Sequence, residues 1–272
     1  MSFCHSAISA KSVDFAINRV NGSSTYEVEA KSLGLRSKLN FPYDFQSLNI
    51  SFYDEFLQGM LNIGVSIPIF ERKEIAEDYD WKNDQLTVFS SSDSYLDKYY
   101  SVHVEWEAEL INRFGLSSKL LLQELDTFWT DTKQYDYVKD TESFSSENTL
   151  QFEQNYLLYD LGINYQAWKT KKTNFAVEVK YIAGLVKSKD THILRNFYTL
   201  HDSKVSGYSF GVKFGYSLGS TGNLSFGFIN NNLIGQEAIM NYYSSGGSKF
   251  ATYPARYQNK SNIYQITFHK DL

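Results

Sequence analysis

The stretch "GYSFGVKFGYSL" alternates almost without a break. Tyr208, Phe210, Val212, Phe214, Tyr216 and Leu218 stand opposite Ser209, Gly211, Lys213, Gly215 and Ser217. Successive side chains of a strand point to opposite faces, so this segment is a strand with one aromatic-aliphatic face and one small or charged face. The same period runs through "YLDKYYSVHVEWEAEL", where Tyr100, Val102, Val104 and Trp106 oppose Ser101, His103, Glu105 and Glu107. It returns in "NFAVEVKYIAGLVKSKDTH", where Phe175, Val177, Val179, Tyr181 and Leu185 oppose Glu178, Lys180, Ser188, Asp190 and His192. Strands of soluble sandwiches run to about five or six residues. Several of these runs reach 14 or more, beyond even the roughly 9–11 residues a strand needs to cross a bilayer.

Composition agrees. The chain holds 21 Tyr and 20 Phe but only 3 Pro, a mixture that suits long pleated strands. No run of about 18 apolar residues exists, so a membrane helix is excluded. A mean hydropathy of -0.38 does not exclude a membrane barrel, whose polar interior cancels its apolar exterior. The net charge of -5 without a Lys/Arg cluster argues against nucleic acid as a partner. Cys4 is the single cysteine, so neither an intramolecular disulfide nor a Cys-based zinc site can form. The histidines His5, His103, His201 and His269 lack the mutual spacing of a metal site, and no cofactor motif is present.

The alternation divides into ten strands, at about 12–30, 33–55, 59–70, 94–111, 115–131, 149–168, 174–189, 204–218, 223–243 and 256–268. Connections near Leu57, Asn112–Gly115, Lys169–Thr173 and Gly219–Gly222 are tight, whereas Glu71–Asp93, Thr132–Asn148, Asp190–Ser203 and Ser244–Ala255 are long and polar. Alternate connections of an antiparallel meander lie at the same end. Short turns at one rim and long loops at the other form the pattern of a transmembrane β-barrel. The expectation is therefore an all-β chain with a single barrel domain over 12–272, its apolar rows outside and its polar rows filling the interior. Trp106, Trp129 and Trp168 are expected in the interface belts. The carboxylates Glu105, Glu107 and Glu109 are expected in a polar interior network with Lys180 and Lys213. Residues 1–11 carry small residues in "AISA" and read either as the end of a signal peptide or as a plain disordered start. The terminal "HKDL" is read as a chance match to a retrieval signal.

Two short elements remain. "EDYDWKND" sets Asp78 and Asp80 one residue apart after the third strand, and "KSKDTHIL" sets Asp190 and His192 one residue apart at the end of the seventh. Residues i and i+2 of an extended chain project to one face, and both elements fall at the long-loop rim. An aspartate beside a histidine orients the ring and favours its charged form. Paired carboxylates accept hydrogen bonds from a water and raise each other's pKa. Facing each other across the mouth, the two pairs could deprotonate a water for hydrolysis. The bland reading is a solvated turn and a polar rim.

The strand order, the loop alternation, "EDYDW" after the third strand, "KSKDTH" closing the seventh and "YSFGVKFGYSL" in the eighth together resemble the omptins, ten-stranded outer-membrane endopeptidases. The resemblance covers nearly the whole chain. It implies a bacterial outer-membrane location with the long loops outside. Asp78 and Asp80 would be the family's water-binding acidic pair, and Asp190 and His192 its dyad. A serine after the acidic pair, Ser90, Ser91 or Ser92, is implied as well. Outer-membrane lipid, lipopolysaccharide in that family, and a peptide substrate are the partners implied for a monomer without metal or cofactor. The chain departs from the pattern at the floor of the specificity pocket, where Ser188 stands in place of the acid of members that cut between basic residues. Glu27 or Glu29 is the candidate to restore acidity. The family's basic lipid-binding cluster is not evident in this sequence. Two functions follow: an omptin-like endopeptidase, or an inactive barrel of the same fold with an adhesive or structural role.

Overall fold

The computed structural model describes residues 11–111 and 113–272, so nearly all of the segment 1–11 lies outside the described residues. The chain is almost entirely strand: β1 (Ser12–Ala30), β2 (Leu35–Phe56), β3 (Gly59–Arg72), β4 (Glu74–Lys82), β5 (Gln85–Ile111), β6 (Phe114–Asp136), β7 (Thr141–Ser145), β8 (Leu150–Lys169), β9 (Thr173–His192), β10 (Phe197–Ser217), β11 (Asn223–Gly235), β12 (Ala238–Ser244) and β13 (Lys249–Asp271). Ten of them close a ring of antiparallel pairings, β1-β2-β3-β5-β6-β8-β9-β10-β11-β13 and back to β1. The three short strands extend this ring at one rim. β4 fits between β2 and β5, β12 between β10 and β13, and β7 lies against β6.

Two sequence expectations change here. The long polar connections are not loops but continued hairpins, so the acidic segment is strand β4, and the expected strand over 223–243 breaks at Gln236 and Glu237 into β11 and β12. A tight turn makes the β4–β5 hairpin possible. Asn83 and Asp84 both take positive φ, at 50° and 62°, the left-handed pair that matches the twist of a two-residue hairpin loop and that Asn and Asp tolerate.

The faces of the ring change character along its axis. In the half bounded by the tight turns, the outer face is apolar, with Phe15, Ile17, Ile63, Val65, Leu161, Ile163, Phe210 and Ile266 all exposed. The interior there is polar, and Lys180 Nζ sits 2.6 Å from Glu105 Oε1 and 2.9 Å from Glu178 Oε1. A cavity of about 350 Å³ lies in this half, lined by Asn62, His103, Glu107, Lys119 and Lys213 among others. In the hairpin half the relation inverts. Lys38, Lys187, Asp202, Lys204 and Arg256 face outward, while Tyr26, Phe41, Phe45, Phe152 and Tyr257 are fully buried inside. The polar-interior expectation holds for one half only. Where the outer wall carries charge, the interior is the only dry place, and each large side chain buried there stabilises the fold by about 1.5–3 kcal/mol. Trp129 belongs to this inner core, 3 % exposed and tilted against Phe41 at 4.9 Å, rather than to a surface belt. Phe41 in turn stacks on Phe152 at 3.7 Å. The aromatic core forms the floor beneath the mouth.

Candidate active site at the hairpin rim

Register fixes the acidic pair. Asp78 stands opposite Leu39 of β2 and Ser90 of β5, and Asp80 opposite Ser37 and Val88, with a bulge directly after Asp80. Leu39 and Ser90 are inward and buried, so Asp78 projects inward too, 8 % exposed. Ser37 Oγ donates to Asp78 Oδ1 at 3.4 Å. Of the three serines considered from sequence, Ser90 lies beside Asp78 and Ser92 is buried in hydrogen bond with Thr132 at 2.8 Å, while Ser91, between them on the strand, has the opposite phase.

On the other wall, β9 carries Asp190 and His192 on its inward row. Asp190 Oδ2 and His192 Nε2 are 3.0 Å apart, with side chains 7 % and 13 % exposed. With the Nε2 proton donated to Asp190, the lone pair belongs to Nδ1, which makes no hydrogen bond among the described residues. Phe197, opposite His192 in the register with β10, stacks on the imidazole at 4.2 Å and fixes its plane. Asp190 Oδ1 is buried without a partner.

The electrostatics tie the two walls together. Burial, and then the charge of Asp80, push the Asp78 carboxyl up to about 7, against the favourable charges of His192 and Arg195. Burial opposes charge on His192, but the charge of Asp190 and its hydrogen bond outweigh it and hold the ring above its ordinary value. Asp78 feels the charges of His192 and Asp190, and His192 feels that of Asp78, so the titrations of Asp78 and His192 are linked across the mouth. Arg195, in the turn after His192, adds a cation and donates to Gln134 Oε1 at 3.4 Å.

The pocket residues separate. Ser188 is inward and buried, and accepts a hydrogen bond from the Tyr26 hydroxyl. Around this pair, Phe41, Phe152, Asp190 and His201 enclose a void of about 10 Å³, room for a single water. His201 is 1 % exposed and packs edge-on against Tyr26 at 5.1 Å. Glu27 does not join them. It lies out of phase with the inward residues Tyr26 and Val28 and faces Arg36 on the outer wall at 4.0 Å. Arg36 covers the Trp81 ring at 4.3 Å, so Trp81 anchors the outside of the hairpin rather than walling the cleft. Glu29, of the same phase, pairs with Lys31 at 3.6 Å. The floor therefore holds a serine and a tyrosine where the sequence reading looked for acid.

Among the described residues, one carboxylate group has the spacing to hold a cation: Glu105, Glu107 and Glu178, with ligand atoms within 4.8 Å of one another. Lys180 already bridges Glu105 and Glu178, and the group lies in the opposite half from the rim site. Sequence reasoning missed Ser37, Phe197 and Arg195. Arg195 and Phe197 follow His192 within five residues and could have been found by reading past the dyad; Ser37 reaches the site only through strand register.

No protein-family model matches the chain, and no curated protein matches it in sequence. Among solved structures, the outer membrane protease OmpT from Escherichia coli superposes with a TM-score of 0.83 over 96% of both chains at 14% identity. The transport unit of the autotransporter AIDA-I from Escherichia coli (TM-score 0.46, 12% identity, 98% and 93% covered) and the outer membrane protein OprG from Pseudomonas aeruginosa (0.37, 9%, 97% and 98%) are more distant. The chain has the fold of an outer-membrane β-barrel, and the likeness is one of fold.

Proposed function

We propose that this chain is an outer-membrane endopeptidase of omptin type, a ten-stranded transmembrane barrel whose hairpin rim faces the cell exterior. The observation that carries the reading is the convergence of Asp78 and Asp80 with the hydrogen-bonded Asp190–His192 couple on the inner wall of one rim. The apolar exterior of the opposite half supports the membrane location, because a soluble protein rarely exposes so continuous an apolar band. The ring closes within one chain, so a monomer suffices.

In this reading, a water lies between the carboxylates and His192. His192 Nδ1 takes its proton as the oxygen attacks the scissile carbonyl carbon, and the imidazolium then passes that proton to the departing amine. Asp190 holds the ring and stabilises its charged form. Asp78, which exchanges its proton near neutral pH, completes the water's hydrogen bonds with Asp80. No bond to the protein forms at any step. Ser188 and Tyr26 at the floor favour an uncharged substrate side chain over Arg or Lys, since a buried guanidinium needs a carboxylate partner of its own and the one carboxylate there, Asp190, is engaged by His192.

The test is cleavage of a broad peptide library by the purified, lipid-reconstituted chain, beside its His192→Ala and Asp80→Asn variants. Loss of cleavage by the expected 10²–10⁴ in both, with heat-modified gel mobility intact, supports the reading. Full activity in folded His192→Ala would sink the mechanism. A wild type that cuts nothing favours the inactive barrel.

A further inference from the structure

Attack by water places negative charge on the carbonyl oxygen of the scissile bond, inside a cleft that already holds three aspartates. Protein sites commonly meet that charge with free backbone N–H groups. Along the strands that carry the cluster, the backbone is committed to ladder pairing. β4 is paired on both sides at Asp78 and Asp80, with β2 and with β5, and β9 is paired on both sides at Asp190 and His192, with β8 and with β10. A side-chain donor at the same rim is the alternative. Arg195 is exposed and engaged with Gln134.

Tyr242 is a neutral donor held at this rim by aromatic neighbours. Tyr242 lies on β12 opposite Thr199, and Thr199 is opposite Asp190, so the three share one inward row of neighbouring strands. Its ring is fixed by Phe197 at 6.0 Å, Phe250 at 6.1 Å and Tyr253 at 5.5 Å, and Phe197 is the residue stacked on His192. Its hydroxyl makes no hydrogen bond among the described residues. Burial first, then the negative charges of Asp190 and Asp80, push its ionisation up, so the phenol keeps its proton throughout the working pH range.

We propose that Tyr242 is a catalytic residue of the endopeptidase reaction, its hydroxyl donating a hydrogen bond to the scissile carbonyl oxygen as that oxygen becomes an oxyanion. The inference rests on the endopeptidase reading above. The proton stays on Tyr242. The oxygen's electron pair returns to reform the carbonyl when the C–N bond breaks, and the proton needed by the amine comes from His192. The rim thus divides its labour, with carboxylates and imidazole on the water and a phenol on the carbonyl.

Tyr242→Phe tests this in the lipid-reconstituted full chain, because the ring contacts with Phe197, Phe250 and Tyr253 are retained. On a peptide that the wild type cuts, kcat should fall by about 10²–10³, with KM changed by less than about threefold and the pH profile unmoved. A phosphonate analogue of the same peptide, whose tetrahedral P–O⁻ mimics the oxyanion, should bind the variant at least tenfold more weakly, while the parent peptide binds both alike. Wild-type kcat in Tyr242→Phe, or a loss confined to KM, overturns the role of Tyr242 and leaves the endopeptidase reading intact. If the wild type cuts no peptide, the endopeptidase reading falls and takes this inference with it.

Discussion

Replacing Asp78 by Asn should abolish activity and make the protein more stable. The buried Asp78 carboxyl is raised from 3.8 to about 7, first by burial and then by the charge of Asp80. The folded state therefore holds this proton more tightly than the unfolded chain does. For such a group the stabilising contribution is full below about pH 4, fades as pH rises, and is gone once pH passes about 7. Each tenfold in proton affinity corresponds to 1.36 kcal/mol, so the ionised group costs the fold about 4 kcal/mol at pH 8. Asn keeps the shape and can still accept from Ser37 but carries no charge. The expected gain of Asp78→Asn is near zero at pH 4, grows through pH 6, and reaches a few kcal/mol at pH 8. Denaturant unfolding in lipid vesicles at those three pH values, followed by tryptophan fluorescence and gel mobility, reads it directly. A variant no more stable than wild type at pH 8, or equally stabilised at pH 4, would refute the reasoning. The acid pair would then not be held at a cost to the fold.

Further outcomes are expected elsewhere in the molecule. The kcat/KM profile should climb through about pH 7 as the Asp78–His192 cluster loses a proton, and a flat profile from pH 5 to 9 would remove the cluster from the chemistry. Peptide profiling should show weak or absent cleavage between basic residues, since Ser188 and Tyr26 occupy the floor and Glu27 lies outside; a strong Arg or Lys preference would contradict that pocket. Lys180→Met should destabilise the barrel by about 3–5 kcal/mol by leaving the buried Glu105 and the half-buried Glu178 without their cation, with cleavage per folded molecule unchanged. In a Cys4→Ser background, an environment-sensitive fluorophore on a cysteine at Ile163 should report hydrocarbon and one at Lys187 should report water; equal emission from both would undo the membrane assignment.

How far these features could be read from sequence depends on what carried the information. The outer apolar rows were legible because period-2 alternation over long runs has one structural meaning. The hairpin extensions were not, because β4 and β7 are short and carry acids and hydroxyls among few apolar residues, and such a strand reads like a loop. Trp129 was misjudged for a different reason: alternation identifies two faces but not which one is dry, and that choice reverses along the barrel axis. Glu27 was misjudged for the same reason: Tyr26, Val28 and Ala30 alternate with it, and the reversal turns that apolar row inward and Glu27 outward. The shared face of Asp78 with Asp80, and of Asp190 with His192, was legible because each pair spans only three residues, so that local geometry survives any error in loop or strand. Tyr242 could not be found that way. Its link to Asp190 runs through Thr199 on an intervening strand, and only register supplies it.

The most direct test of the central claim is a high-resolution structure of the lipid-bound protein at neutral pH, with the cleft free of ligand. The account requires one ordered water within about 3.2 Å of both His192 Nδ1 and a carboxylate oxygen of Asp78 or Asp80, and it requires the Tyr242 hydroxyl to face the same space. A gap of more than about 10 Å between the carboxylates and the imidazole, or a side chain filling the position of that water, would contradict it.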